Sequence, residues 1–241
     1  MEDQVNRLVE KTWAKFQTVP ASKRLLIAIS GIPGSGKTTL AKTVTSRLNA
    51  LHASKDQNQT KTSPPIAAFI PMDGYHLSRA QLSSMPDPQL AHDRRGAEFT
   101  FDGDAFVMLV KSIREPLTSS TTVLYAPSFD HAIKDPVLED IPITPTDRII
   151  VFEGNYLSLN KEPWKEAAGL MDELWFVEVD FDTAGKRLVP RHVKAGIAAN
   201  EEAAWKRVNE NDLVNGKEIV DGRLEVDEVV VSREDDAWGT K

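Results

Sequence analysis

The chain has 241 residues, 41% of them apolar and 27% charged, which is enough for one packed core of generous size and too apolar for a disordered polymer. Its 29 Lys and Arg against 36 Asp and Glu leave a net charge of −7, so it lacks the basic surface that binding along a phosphate backbone requires, and nucleic acid is not an expected partner. Without cysteine there is no disulfide framework, thiolate zinc site or cysteine nucleophile. The acidic start Met1-Glu2-Asp3 is not a leader, and no run approaches the roughly 20 apolar residues of a membrane span; a cytoplasmic protein with no membrane partner is expected.

Val5, Leu8, Val9, Trp13 and Phe16 recur at helical spacing before Pro20, which predicts an amphipathic helix over 1–19. Leu25 to Ile29 is an apolar run between Lys23-Arg24 and Gly31, the pattern of a strand buried on both faces. Leu40, Val44, Leu48 and Leu51 then mark a helix directly behind a glycine-rich loop. From Ser54 to Pro65 the text is polar and simple and reads as an exposed insertion. Further strands are expected at Ile66–Ile70, Thr122–Tyr125, Arg148–Phe152, Leu174–Val179 and Val226–Val231. Helices are expected at Asp104–Arg114, Lys161–Leu170, Ala184–Lys194 and Asn200–Val214. This alternation predicts one α/β domain over 1–241, with a mostly parallel sheet and helices on both faces in three layers.

Gly31-Ile32-Pro33-Gly34-Ser35-Gly36-Lys37-Thr38 fits the phosphate-loop pattern G-x-x-x-x-G-K-[ST], and it follows a strand and opens a helix as that pattern demands, so the expected fold is a three-layer P-loop NTPase fold. Backbone N–H groups of such a loop face the nucleotide phosphates. Lys37 reaches the β- and γ-phosphates, and the Thr38 hydroxyl is placed to ligate Mg²⁺, with Thr39 as a neighbouring hydroxyl. Two strings resemble GTPase signatures, Asp182-Thr183-Ala184-Gly185 and Asn160-Lys161-Glu162-Pro163. Both read better as a helix cap at Asp182 and a loop, because their order and distance from Lys37 are wrong for a guanine site.

Asp73 follows the second strand in Pro71-Met72-Asp73-Gly74-Tyr75-His76, and Glu153 ends the Arg148–Phe152 strand. Both therefore fall at carboxyl ends of strands, where doubly wound sheets bind ligands. Phosphoryl transfer needs a metal between phosphates, a carboxylate for the attacking hydroxyl and cations around the transferred group. Glu153 is read as the metal-side acid and Asp73 as the acceptor base, with the two roles exchangeable at this stage. Lys186, Arg187, Arg191 and His192 crowd one helix, with Arg187 and Arg191 on one face. This predicts a helical lid over 184–198 that clamps ATP and excludes water. Pro190 is expected to kink or break it.

Taken together, Gly31–Thr38, Asp73-Gly74-Tyr75-His76, Arg94-Arg95-Gly96-Ala97 with Phe101-Asp102, Tyr125 to Asp130, Phe152 to Tyr156, and Arg187 with Arg191 resemble the P-loop kinases of the uridine kinase, pantothenate kinase and phosphoribulokinase group. The likeness is strongest to a branch with an Asp-Gly-aromatic-His string. The resemblance implies ATP as phosphoryl donor, Asp73 as base and Glu153 near magnesium. It also implies an acceptor pocket beneath the loop carrying Arg94 and Arg95, either of which could bind a carboxylate or phosphate. Tyr75, His76, Phe129, His131, Asn155 and Tyr156 complete the acceptor-side candidates. Uridine kinases carry Tyr-Asp-Phe where this chain has Phe129-Asp130-His131, a departure that bears on any uracil pocket. The expected activity is ATP- and Mg²⁺-dependent phosphorylation of a hydroxyl on a small metabolite, with a nucleoside first and pantothenate, a sugar or a sugar acid next. The competing reading is an ATPase or switch acting on a protein partner. A homo-oligomer is compatible with either.

Overall fold

The computed structural model describes residues 1–55, 64–130 and 132–233. Helix α1 (Glu2–Phe16) leads to β1 (Leu25–Gly31), the glycine loop and α2 (Lys37–Lys55). Next come β2 (Ala67–Pro71), a 3-10 turn at Met72–Tyr75, and the short helices α3 (Arg79–Ser83) and α4 (Pro88–Asp93). After them lie α5 (Gly103–Arg114), β3 (Leu124–Asp130), β4 (Asp135–Ile143), β5 (Ile149–Glu153), α6 (Trp164–Gly169) and β6 (Glu173–Glu178). Helices α7 (Phe181–Lys194) and α8 (Glu201–Arg207), a π turn at Val208–Asp212, α9 (Leu213–Asp221) and β7 (Glu228–Val231) complete the order.

Five strands form one sheet in the order β2-β5-β1-β6-β7, and every pair in it is parallel. Strands β1 and β5 are buried along their whole length, as their unbroken apolar text predicts. Alternation sorts their side chains to two faces. Leu26, Ala28, Ile150, Phe152 and Phe176 pack with Phe106 and Trp164 on one face. Leu25, Ile27, Ile29, Val151 and Trp175 pack with Val5, Leu8, Leu40 and Val44 of α1 and α2 on the other.

Register then places the chemistry. Glu153 pairs with Ile29 of β1 and with Pro71 of β2. The phosphate loop, Asp73 and Glu153 thus leave the same edge of the sheet, at the carboxyl ends of adjacent strands.

Four expectations need correction. The third expected strand does not join the parallel sheet; β3 pairs antiparallel with β4 in a separate two-stranded ribbon. Only Ala126 of β3 is buried, and of β4 only Ile143. A half-solvated ribbon lacks the apolar run that betrays a core strand, and Pro136 and Pro142 hid β4 from the sequence. Pro190 does not break α7, which continues to Lys194. Pro190 and Lys186, whose carbonyl loses its helical donor, both face water, while Leu188, Val189 and His192 are buried on the opposite side and hold the helix together. The cap of α7 is Asp180 rather than Asp182: its side chain accepts from the Thr183 N–H at 2.7 Å. Ser54 and Lys55, expected in the polar insertion, belong to α2; most of that insertion lies outside the described residues, as does His131. Among the described residues no helix is long and apolar enough to cross a membrane.

Candidate active site

The glycine loop turns between the end of β1 and the first turn of α2. Its shape is fixed by the Ser35 N–H donating to the Ile32 carbonyl at 3.1 Å and the Leu40 N–H to the Gly36 carbonyl at 3.1 Å. Gly34, with φ of +80°, adopts a left-handed conformation, and a Cβ there would stand 2.7 Å from the Ala184 carbonyl oxygen of α7. Loop and helix therefore touch through a position that only glycine fills without strain. Gly34→Ala is expected to lower stability by about 1–3 kcal/mol and to weaken ATP binding; thermal melts with and without ATP check both.

Lys37 and Glu153 are buried beneath this loop, with Nζ 3.9 Å from Oε1. Lys37 also donates to the Ile32 carbonyl at 3.4 Å. Burial pushes the Lys37 ammonium down in pKa, opposed by Glu153, Asp73 and Asp212. Burial likewise pushes the Glu153 carboxyl up, opposed chiefly by Lys37 and by a hydrogen bond from Thr38. Both effects are those of charges removed from water. Arg191 of α7 is exposed, yet its charge acts on both residues. Arg187 reaches across the loop, donating from Nη1 to the Gly34 carbonyl at 3.2 Å and to Ser232 Oγ at 2.9 Å. The Ser35 hydroxyl is buried with no hydrogen-bond partner among the described residues.

Asp73 lies in the 3-10 turn after β2 with its side chain 46% exposed, against 7% for Glu153. The His76 ring lies on its backbone, Nδ1 to the Asp73 carbonyl at 2.8 Å, and stacks near Phe101 and Phe129 at 4.0 and 4.8 Å between centroids. The Arg95 guanidinium covers the other aromatic of this wall, 5.5 Å from the Phe129 centroid. His76, Phe129 and Arg95 thus form one surface beside Asp73.

Tyr75 and Tyr156 are placed differently. Both are buried in the core, Tyr75 edge-on to Phe106 and Tyr156 against Phe101 and Trp164. Desolvation raises both phenols well above their ordinary pKa. Tyr156 donates to the Gly96 carbonyl at 2.8 Å and so props the loop carrying Arg94 and Arg95 from the core side. Asn155 is half-buried beyond Glu153. Trp205 lies on Gly185, where an added Cβ would sit 3.1 Å from the ring.

The π turn and the first turn of α9 supply residues that the sequence reading left without a role. Asp212 accepts from or pairs with His192 Nε2 at 2.9 Å and acts on Lys37. Asn211 and Asn215 hold Arg94. Their i, i+4 spacing was visible, but Ser232, separated from Arg187 by 45 positions, carried no signal.

Among the described residues no three His, Cys, Asp or Glu side chains cluster to hold a metal. Thr38, half-buried at the start of α2, and the buried Glu153 offer one hydroxyl and one carboxylate beside the loop. That donor set fits Mg²⁺, which takes few protein oxygens and fills its shell with water and phosphate.

A loop built for phosphates, a buried lysine and acids at the ends of two neighbouring strands define a nucleotide-dependent phosphotransferase of the P-loop class. Protein-family profiles give no match. Over 159 residues, 66% of this chain and 92% of the relative, the chain is 57% identical to the ATP-dependent kinase-like protein notR' of Aspergillus versicolor. It is 42% identical over 193 residues, 80% of this chain and 77% of the relative, to a Schizosaccharomyces pombe protein provisionally named a uridine kinase. The solved structure of YFH7 from Saccharomyces cerevisiae, provisionally described as a P-loop containing kinase with a circular permutation, superposes with a TM-score of 0.82 at 22% identity, covering 96% of this chain and 99% of that one. The chain belongs to the ATP-dependent P-loop kinases, in the group that includes uridine kinase.

Proposed function

We propose that the chain transfers the γ-phosphoryl of ATP to a hydroxyl of a small metabolite, with Mg²⁺ as the metal. The observation that carries this reading is the convergence of Lys37, the Thr38–Glu153 pair and Asp73 on one sheet edge, the first three buried or half-buried and Asp73 open to an acceptor. Lys37 and the loop N–H groups hold the phosphates. Thr38 and Glu153 hold Mg²⁺, which supplies charge neutralisation of the β- and γ-oxygens when bound. Asp73 accepts the proton of the attacking hydroxyl or orients it. Arg187 and Arg191 bring α7 over the loop as a lid, stabilising the transferred group and limiting access of water.

His76, Phe129, Arg94 and Arg95 line the acceptor side. A nucleoside heads the list of acceptors by family likeness, followed by pantothenate-like acids, sugars and sugar acids. Incubation with Mg²⁺, ATP and a panel of these compounds should give a phosphorylated product by mass spectrometry. Phosphate release that no acceptor alters, with no other product, would overturn the kinase reading in favour of an ATPase.

A further inference from the structure

The adjacent arginines of the acceptor loop have unlike surroundings. Arg95 is committed to structure. It donates to the carbonyls of Lys134 and Leu77 at 2.6 and 2.9 Å and pairs with Asp135 at 3.2 Å, pinning the β3–β4 ribbon to the loop. Arg94 donates from Nε to Asn211 Oδ1 at 2.9 Å and from Nη2 to Asn215 Oδ1 at 2.6 Å. Both partners are neutral amides, and among the described residues Arg94 has no carboxylate partner.

The amides are oriented by their own donors. Asn211 Nδ2 donates to the Arg95 carbonyl at 3.2 Å, and Asn215 Nδ2 to Asn211 Oδ1 at 3.4 Å. Both asparagines are buried. A buried carboxylate at either position would neutralise the guanidinium; the amides fix its plane and leave its charge whole.

The location is next to the phosphate loop. Gly216, following Asn215, packs on Ile32, where an added Cβ would stand 3.4 Å away. Asp212, which ends the π turn just before α9, acts on Lys37, and both Arg94 and Asp212 act on Tyr156. Arg94 is thus delivered from the acceptor loop to the neighbourhood of the phosphate loop with neutral amides, and no carboxylate, as its hydrogen-bond partners among the described residues.

We infer that Arg94 binds an anionic group of the acceptor, that Asn211 and Asn215 are its positioning residues, and that the acceptor therefore carries a carboxylate or phosphate besides the hydroxyl that receives the phosphoryl. This rests on the kinase reading above and narrows it. A neutral nucleoside or sugar leaves the guanidinium unpaired, whereas a sugar acid, a pantothenate-like acid or a sugar phosphate offers two oxygens to its fork.

The test uses the full chain with Mg²⁺ and ATP and five probes: uridine and fructose as neutral acceptors, gluconate and pantothenate as carboxylates, and ribulose 5-phosphate as a phosphate. Transfer is expected to an acid in preference to both neutral compounds, and the preferred probe separates carboxylate from phosphate. For that acceptor, Arg94→Gln and Asn215→Asp, which sets a carboxylate against Arg94, should each raise KM about 10- to 100-fold with kcat and the KM for ATP little changed. If either variant fails to fold by circular dichroism, Arg94→Lys, which keeps the charge and loses the fork, carries the test with the same KM rise. Preference for uridine or fructose overturns the inference. So does a fall in kcat for every acceptor at constant KM, which would put Arg94 on the transferred phosphoryl. Phosphate release without any phosphorylated acceptor overturns the kinase reading itself and the inference with it.

Discussion

Asp73→Asn is expected to lower kcat by about 10²–10⁴-fold, the range for loss of a positioned general base, with the affinity for ATP nearly unchanged. The asparagine keeps the shape of the side chain and loses its capacity to take a proton. The surrounding turn should not move. The His76 ring is held on the Asp73 carbonyl at 2.8 Å, and Gly74 lies so close to the β3 backbone that a Cβ would meet the Pro127 carbonyl oxygen at 2.1 Å. Asp73 is also the acid at this sheet edge with substantial exposure, while Glu153 is buried against Lys37. Single-turnover rates and calorimetric ATP binding on the same preparation give the comparison. Full turnover in the variant would remove Asp73 from the base role, and a raised acceptor KM at constant kcat would reduce it to a binding group.

Lys37→Met should reduce kcat/KM by about 10²–10³-fold, the effect of removing one preorganised cation or donor from a developing charge, and should abolish the rise in melting temperature that ATP gives the parent protein. It should also change how stability depends on pH. Burial raises the Glu153 carboxyl, and Lys37 is the largest influence opposing that rise. Without Lys37 the native carboxyl holds its proton to still higher pH than the unfolded chain does. The native state then binds more protons, so stability falls as pH climbs above the ordinary glutamate range, more steeply than in the parent. Lys37→Met with Glu153→Gln removes the titrating group and should flatten the curve. Urea melts from pH 5 to 8 on the three proteins test this, and parallel curves for parent and single variant would separate Glu153 from Lys37 energetically.

Much of this site is legible in the sequence because it is built from local rules. The strand at Leu25, the loop from Gly31 and the helix after Lys37 are set by contacts within a few residues, and their apolar periodicity names the buried faces in advance. Asp73 and Glu153 could be placed at one edge because a parallel sheet puts all its carboxyl ends on one side. The ribbon β3–β4 was not legible. Its residues satisfy each other across a half-solvated pair and need no continuous apolar run, whereas Thr122 to Tyr125 reads as another strand of the sheet and Asp135 to Ile143 as none.

The sequence by itself determined the nucleotide loop, the parallel sheet and the two carboxylates at its edge. Tertiary structure decided which polar residues are available to a ligand. Tyr75 and Tyr156 sit beside the motifs in the text and are sealed in the core. Arg94 and Arg95 are neighbours of identical type, separated by the company each keeps: Asp135 for one, and for the other Asn211 and Asn215, 117 and 121 positions away. Whether a charge is neutralised depends on groups within a few ångströms in space, and chain order does not encode that distance until the fold has closed.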